Sequence, residues 1–288
     1  MSDRPRAAKE TPLAIICGGG SLPLAVADAV TRRGRRVVMF PVRGFADPRD
    51  FADYPCHLIA TGQFGRFRRL AVQEGCRDVV FIGVVLRPAL RQIRLDWDTI
   101  RQLPRVFAMF RGGDNHLLSS LARIVEDLGF KLHGAHEVAP EILVPQGAIG
   151  RHAPGPRHEA DIARGLAVLA AIGPFDVGQA VVVADSYVVA IEGAEGTDRM
   201  LERVAALRRD GRIPSAAGTG VLVKTPKRGQ DRRFDLPSIG PQTVARAAEA
   251  GLAGIAVAGG ATIIAEPQRV AAAADRVGLF VVGIAAAG

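Results

Sequence analysis

Lys224, Lys227, Arg228, Arg232 and Arg233 gather cationic side chains along one short run, with Gln230, Asp231 and Asp235 set among them. The chain has only four lysines, at 9, 131, 224 and 227, so half of them fall here. Cations beside an isolated carboxylate suit a site that handles a phosphate ester, with or without a metal. Asp235, between Phe234 and Leu236 and shortly before Pro237, is more constrained than a surface aspartate usually is. It is a candidate to hold a metal or to orient water toward phosphorus. Lys224, Lys227 and Arg232 are candidates to neutralise charge on a diphosphate and its departing group. A merely solvated loop would have the same composition.

A second acidic grouping, Glu192-Gly-Ala-Glu-Gly-Thr-Asp-Arg199, places Glu195 and Asp198 around a glycine where a strand hands over to a helix. Two carboxylates there can coordinate Mg²⁺, while acids in a first helical turn are also favoured simply by the helix dipole. Gly18-Gly-Gly-Ser-Leu-Pro23 joins a strand to a helix. Its backbone, with Gly19, Gly20 and Ser21 at the centre, suits contact with a phosphate. Pro23 stands where a dinucleotide fingerprint needs its third glycine, and Val42-Arg-Gly44 replaces the ribose-binding acid, so NAD is disfavoured. In Gly62-Gln-Phe-Gly65, Gln63 is placed to reach a base edge or ribose, or only to cap a turn. Gly112-Gly-Asp-Asn-His116 reads equally as an ordinary helix cap. His133 and His136, read on an alternating strand, point to opposite faces and do not share a metal.

These residues need elements to carry them. Apolar runs at Pro12–Cys17, Arg36–Val42 and Asp78–Val85 alternate with helical periods at Leu22–Arg33 and Phe64–Glu74. That pattern predicts a parallel sheet covered on both faces. Further helical periods fall at Trp97–Phe110 and His116–Leu128, and Lys131–Glu137 closes this half. Prolines and glycines over Pro140–Pro156 mark a boundary. Beyond it the spacing predicts a helix at Glu159–Ala171, a hairpin about Ala184-Asp-Ser186 and a helix opened by Gly196-Thr-Asp198. A strand at Thr219–Lys224, a helix at Gly240–Ala250, two short strands within Ile255–Ala265 about Gly259-Gly260, and then a helix and a last strand at Leu279–Ile284 complete a second α/β half with a mixed sheet. The expected organisation is a tail at 1–11, an N-terminal domain at 12–137 and a C-terminal catalytic domain at 138–288.

Composition sets outer limits. At 288 residues, 48% hydrophobic and 23% charged, the chain has ample core for two domains. No apolar run is long enough for a membrane span, and the polar N-terminus lacks a signal core, so a cytoplasmic location is expected. Cys17, Cys56 and Cys76 are widely spaced and give no zinc signature. The formal charge of +8 favours anionic partners, but 5% aromatics without a basic aromatic stripe gives nucleic-acid binding no support.

Taken in order, Ile16-Cys-Gly-Gly-Gly-Ser-Leu-Pro23, Gly44-Phe-Ala-Asp-Pro48, Gly62-Gln-Phe-Gly65, Gly134-Ala-His-Glu137, Asp176-Val-Gly-Gln179, Glu195-Gly-Thr-Asp198, Lys224-Thr-Pro-Lys227 and Asp235-Leu-Pro-Ser-Ile-Gly240 form a specific set. The chain resembles the UDP-2,3-diacylglucosamine pyrophosphatases of the LpxI type, from lipid A biosynthesis in certain Gram-negative bacteria. The resemblance implies an N-terminal Rossmann-like domain, a C-terminal α/β domain and a lipid nucleotide in the cleft between them. It implies Mg²⁺ or another divalent cation such as Mn²⁺, with water attacking the sugar-side phosphorus to release UMP and 2,3-diacylglucosamine 1-phosphate. The family's essential aspartate falls on Asp235, as base or metal ligand, with Glu195 and Asp198 as further metal candidates. Gly19, Gly20, Ser21, Gln63, Gly65, Gln179, Thr197 and Thr225 are the expected substrate contacts. Peripheral contact with the inner membrane is implied by the substrate, and a homo-oligomer is compatible with the sequence. Two departures are Asn115, where the family often has a second acid, and Ser238, where threonine is common. The competing reading is a nucleotide-sugar or dinucleotide sensor that binds without turnover.

Overall fold

The computed structural model describes residues 10–83, 96, 114–175, 177–227, 231–234 and 236–285. Residues 1–9 of the expected tail, the helical period at 97–110, Asp176, Arg228, Gln230 and Asp235 lie outside the described residues. The chain divides into two compact units: Met1–Pro140 with Asp231–Phe234, and Glu141–Gln230 with Asp235–Gly288.

The first unit holds a four-stranded parallel sheet in the order β2-β1-β3-β4, built from β1 (Leu13–Cys17), β2 (Val37–Pro41), β3 (Asp78–Ile82) and β4 (Lys131–His133). Every residue of β1 and β2 is buried, as the unbroken apolar runs require when both faces are covered. One face packs Ile16, Phe40 and Val79 against Phe67 and Ala71 of α2 (Phe64–Gln73) and Ala122 and Val125 of α3 (Asp114–Asp127). On α1 (Leu22–Arg32), Val26, Ala27 and Val30 are buried and the helix packs on β1 and β2. Because the connections after β1 and β3 leave in opposite directions, the carboxyl ends of those two strands form a switch point, where α/β folds place ligands.

One expected element divides. Lys131–Glu137 is not a single strand: pairing stops at His133, Gly134 turns the chain, and Ala135–Val138 forms the short helix α4. His133 and His136 therefore sit on different elements. His133 Nε2 meets Asp78 Oδ1 at 2.7 Å, within a cluster where Asp78 also accepts from Thr11 and Arg35.

The second unit carries a six-stranded mixed sheet, ordered β5-β12-β10-β8-β6-β7. Its strands are β5 (Gly147–Ala148), β6 (Ala180–Ala184), β7 (Tyr187–Ile191), β8 (Val221–Lys224), β10 (Gly254–Ala258) and β12 (Phe280–Ile284). β8, β10 and β12 are parallel, whereas β6 runs antiparallel to both β7 and β8. A small parallel pair, β9 (Ser238–Ile239) with β11 (Ile263–Ile264), stands apart from this sheet. One face, with Val182, Leu222 and Ile255, packs against α6 (Gly196–Arg209), α7 (Pro241–Glu249) and α8 (Pro267–Val277) through Met200, Val204, Val244 and Val270. The other, with Val181, Val223 and Phe280, packs against Ile162 and Leu169 of α5 (Pro156–Ile172).

Burial settles the cysteines. It pushes the Cys17 thiol up to about 12 and the Cys76 thiol up to about 11. The reactive thiolate is thereby suppressed at neutral pH. Alkylation of the native protein at pH 8, read by peptide mass spectrometry, is expected at half-buried Cys56 well before Cys17 or Cys76. Equal labelling of all three would contradict the packing of β1.

Candidate active site

Strand register assembles the polar site of the second unit. Ala180 on β6 pairs with Lys224 on β8, and Val181 pairs with Ile191 on β7. The next position, Glu192, donates its N–H to Ala180 O at 2.9 Å. Residues opposite one another share a face, so Glu192 and Lys224 flank Ala180 on the side covered by α6. Two strand spacings separate their backbones by roughly 9.5 Å. Thr197, in the first turn of α6, bridges the gap: Lys224 Nζ donates to Thr197 Oγ1 at 3.0 Å, and Thr197 Oγ1 donates to Glu192 Oε1 at 2.8 Å. Lys224 Nζ also donates to Ser238 O at 3.1 Å. Both charged ends of this chain are buried, with Lys224 and Glu192 each 6% exposed. Buried charges persist when paired and hydrogen-bonded.

Two glycines make the arrangement feasible. Gly196, at φ 80°, lets the loop after Glu192 turn sharply so that Thr197 faces back toward β7. Gly178 allows the chain to pass directly over Glu192, since a Cβ there would lie 2.1 Å from Glu192 O. That approach brings the Gln179 N–H to Glu192 Oε2 at 3.0 Å, while Gln179 O accepts from Thr225 N at 3.0 Å. Gly178→Ala is accordingly expected to destabilise the protein by about 3 kcal/mol, read by denaturant unfolding. An unchanged unfolding midpoint would show that this loop does not need the close approach. Gln179 Oε1 is buried and has no hydrogen-bond partner among the described residues.

Of the residues selected from sequence, Gln179, Thr197, Lys224 and Thr225 thus come together, and Glu192 is the member that sequence reading did not select. Its signal was slight: it opens the acidic grouping at a strand end before Gly193, from which Glu195 and Asp198 were selected. Lys227 follows β8 and is half-buried. Glu195 and Asp198 are exposed, and Glu195 Oε1 accepts from Arg203 at 2.9 Å. No group of three or more His, Cys, Asp or Glu side chains placed to hold a metal occurs among the described residues. An open pocket of 670 Å³ lies alongside, lined by Val177, Ile191, Gly193 and Arg199 among others.

In the first unit, the Gly18–Gly20 turn follows β1 at the switch point. Gly19 lies so close to Phe45 that a Cβ would stand 2.7 Å from its carbonyl oxygen, and Gly20 and Ser21 are exposed. Gln63 Oε1 accepts from Ala60 N at 3.0 Å, closing the turn before α2, in which Gly65 is buried. Arg232 is exposed; the burial of His136, and after it the charge of Arg232, lower the His136 pKa. Beside it, Arg233 is clamped by Asp231 and Glu126, with Nη1 3.0 Å from Glu126 Oε1, and Phe234 lies against Phe81. The end of the basic run therefore packs within the first unit, and the pairing holds the Asp231 carboxyl below its ordinary pKa.

Residues 12–142 match the family described as the LpxI N-terminal domain, and residues 145–282 match the LpxI C-terminal domain. The chain belongs to the LpxI family. A relative from Caulobacter vibrioides, UDP-2,3-diacylglucosamine pyrophosphatase LpxI, is 41% identical over 272 residues, covering 94% of this chain and 97% of the relative. Both LpxI domains are therefore present. The Glu192–Thr197–Lys224 chain lies wholly within the region matching the LpxI C-terminal domain. No helix among the described residues is long and apolar enough to cross a membrane.

Proposed function

We propose that this LpxI-family protein hydrolyses UDP-2,3-diacylglucosamine to UMP and 2,3-diacylglucosamine 1-phosphate, a step of lipid A biosynthesis. The observation that carries the reading is near full-length similarity to a pyrophosphatase of that name. The buried cation of Lys224, with polar groups gathered around it, supplies a chemical basis in the matching domain.

The reaction adds water across a phosphoric anhydride. Water attacks the sugar-side phosphorus, the bond from that phosphorus to the bridging oxygen breaks, and UMP departs with the oxygen. One proton of the water is lost to a base, and Asp235 is assigned either to that role or to metal ligation. Lys224, with Lys227 and Arg232, offsets the charge that grows on the phosphoryl and bridging oxygens. Gln179, Thr197 and Thr225 are assigned to substrate, as are Gly19, Gly20, Ser21, Gln63 and Gly65. The first domain takes the Rossmann-like role of contacting the nucleotide.

A divalent cation, Mg²⁺ or Mn²⁺, belongs to the proposal through the substrate's phosphate oxygens and Asp235, and would neutralise diphosphate charge when bound. Glu195 would have to release Arg203 to join it. The acyl chains favour peripheral contact with the inner membrane, approached from the cytoplasm.

The deciding experiment is UMP release from UDP-2,3-diacylglucosamine by the purified protein, with Mg²⁺ and with EDTA. Release in Mg²⁺ that EDTA abolishes is expected. Release in both would remove the cation from the proposal. Substrate held without turnover in either would replace hydrolysis by a sensor function.

A further inference from the structure

We propose that Glu192 is a positioning residue for the reaction, acting through Thr197 to hold the Lys224 ammonium and through the backbone to hold Gln179. The inference rests on the hydrolase reading for its kinetic consequence, but the hydrogen-bond chain stands on the structure alone.

Direction is the informative property of that chain. An ammonium only donates, and a carboxylate only accepts. Thr197 Oγ1 lies between them, so its lone pair must face Lys224 Nζ at 3.0 Å and its proton must face Glu192 Oε1 at 2.8 Å. The carboxylate thus fixes the orientation of the hydroxyl, and the hydroxyl, together with Ser238 O, holds the cation. The other oxygen of Glu192 accepts the backbone N–H of Gln179, a donor that cannot rotate away. One buried carboxylate consequently sets two groups assigned to the substrate, Gln179 just before β6 and Lys224 at the end of β8.

A carboxamide at position 192 breaks the direction without changing the shape. Its oxygen is required by the Gln179 N–H, so its NH₂ faces Thr197. The hydroxyl must then accept from residue 192 as well as from Lys224, so two donors meet at one oxygen and its own proton loses the carboxylate that held it. Lys224 then shares the Thr197 acceptor with the amide, loses the carboxylate charge beyond it, and shifts. Thr197→Val removes the same link by deleting the oxygen, whereas Thr197→Ser keeps it.

The test compares wild type, Glu192→Gln, Thr197→Val, Thr197→Ser and the Glu192→Gln/Thr197→Val double variant. The kcat and KM of UMP release are measured alongside the rate of Lys224 acetylation by an N-hydroxysuccinimide ester, followed by peptide mass spectrometry. Glu192→Gln and Thr197→Val are each expected to lower kcat on the order of a hundredfold, the effect of displacing a positioned group by about 1 Å, with KM little changed. The double variant is expected to be no worse than either single one, because both cut the same chain. Thr197→Ser should retain most of the activity. Acetylation of Lys224 should accelerate several-fold in Glu192→Gln and Thr197→Val.

Wild-type kcat in Glu192→Gln, or losses that multiply in the double variant, would overturn the inference. If Glu192→Gln does not fold, the contrast between Val and Ser at position 197 decides in its place, and equal losses in those two would sink the relay. If wild type releases no UMP, the hydrolase reading fails by itself. Acetylation then decides the relay: unchanged Lys224 reactivity in Glu192→Gln refutes it, and faster reactivity keeps it.

Discussion

Lys224→Met will lower kcat for UMP release on the order of a thousandfold while leaving a folded protein. The methionine replaces the lysine's four-atom stem and suits a 6% exposed position at the end of β8, so the packing of the sheet face survives. What disappears is the cation, together with the donors to Thr197 Oγ1 and Ser238 O. Leaving such acceptors short of a donor costs about 1–3 kcal/mol of stability. A thousandfold loss of rate corresponds to about 4 kcal/mol of transition-state stabilisation. Activity should therefore collapse further than the unfolding midpoint moves. Lys224→Arg is not a rescue, since a planar guanidinium cannot enter a space shaped around a single ammonium nitrogen. Near-normal turnover in Lys224→Met would make the buried lysine a structural strut and would transfer charge stabilisation to Lys227 and Arg232.

Asp235→Asn will abolish UMP release, with an expected loss of roughly a thousandfold to ten-thousandfold. The amide keeps the size of the side chain but can neither accept a proton from water nor carry negative charge to a cation. The two roles assigned to Asp235 separate in a Mg²⁺ titration of the variant. A ligand defect is relieved in part by raising Mg²⁺, because the apparent affinity has fallen, whereas the loss of a base is not. Retention of bound substrate by the inactive variant would place the loss in the chemical step. Wild-type turnover in Asp235→Asn would remove this residue from the site and leave family membership untouched, because that rests on both domains.

Much of the architecture follows directly from composition along the chain. Leu13–Cys17 and Val37–Pro41 could only be strands buried on both faces, because every position is apolar and glycine or helical segments bound them. The chemical neighbourhood was legible for a similar reason. Lys224-Thr-Pro-Lys227, Asp176-Val-Gly-Gln179 and Glu195-Gly-Thr-Asp198 stand out as motifs, and three separate motifs contribute Lys224, Gln179 and Thr197 to one cluster. The family was legible in their order.

The residue types available for diphosphate chemistry, and the alternation of elements that carries them, can be read along the chain. How they connect cannot. Glu192 is an unremarkable acid in sequence, and becomes the anchor only because register places it in line with Ala180 and Lys224. His133 and His136 were separated by the end of strand pairing at Gly134, a limit that side-chain alternation does not encode. The basic run, continuous in sequence, was divided as well: Lys224 belongs to the second unit, while Asp231–Phe234 pack with the first through Glu126 and Phe81. In each case the deciding contact joins residues distant along the chain. Local propensity and spacing record what a segment prefers, whereas partners at long separation are fixed only when the sheets and helices pack.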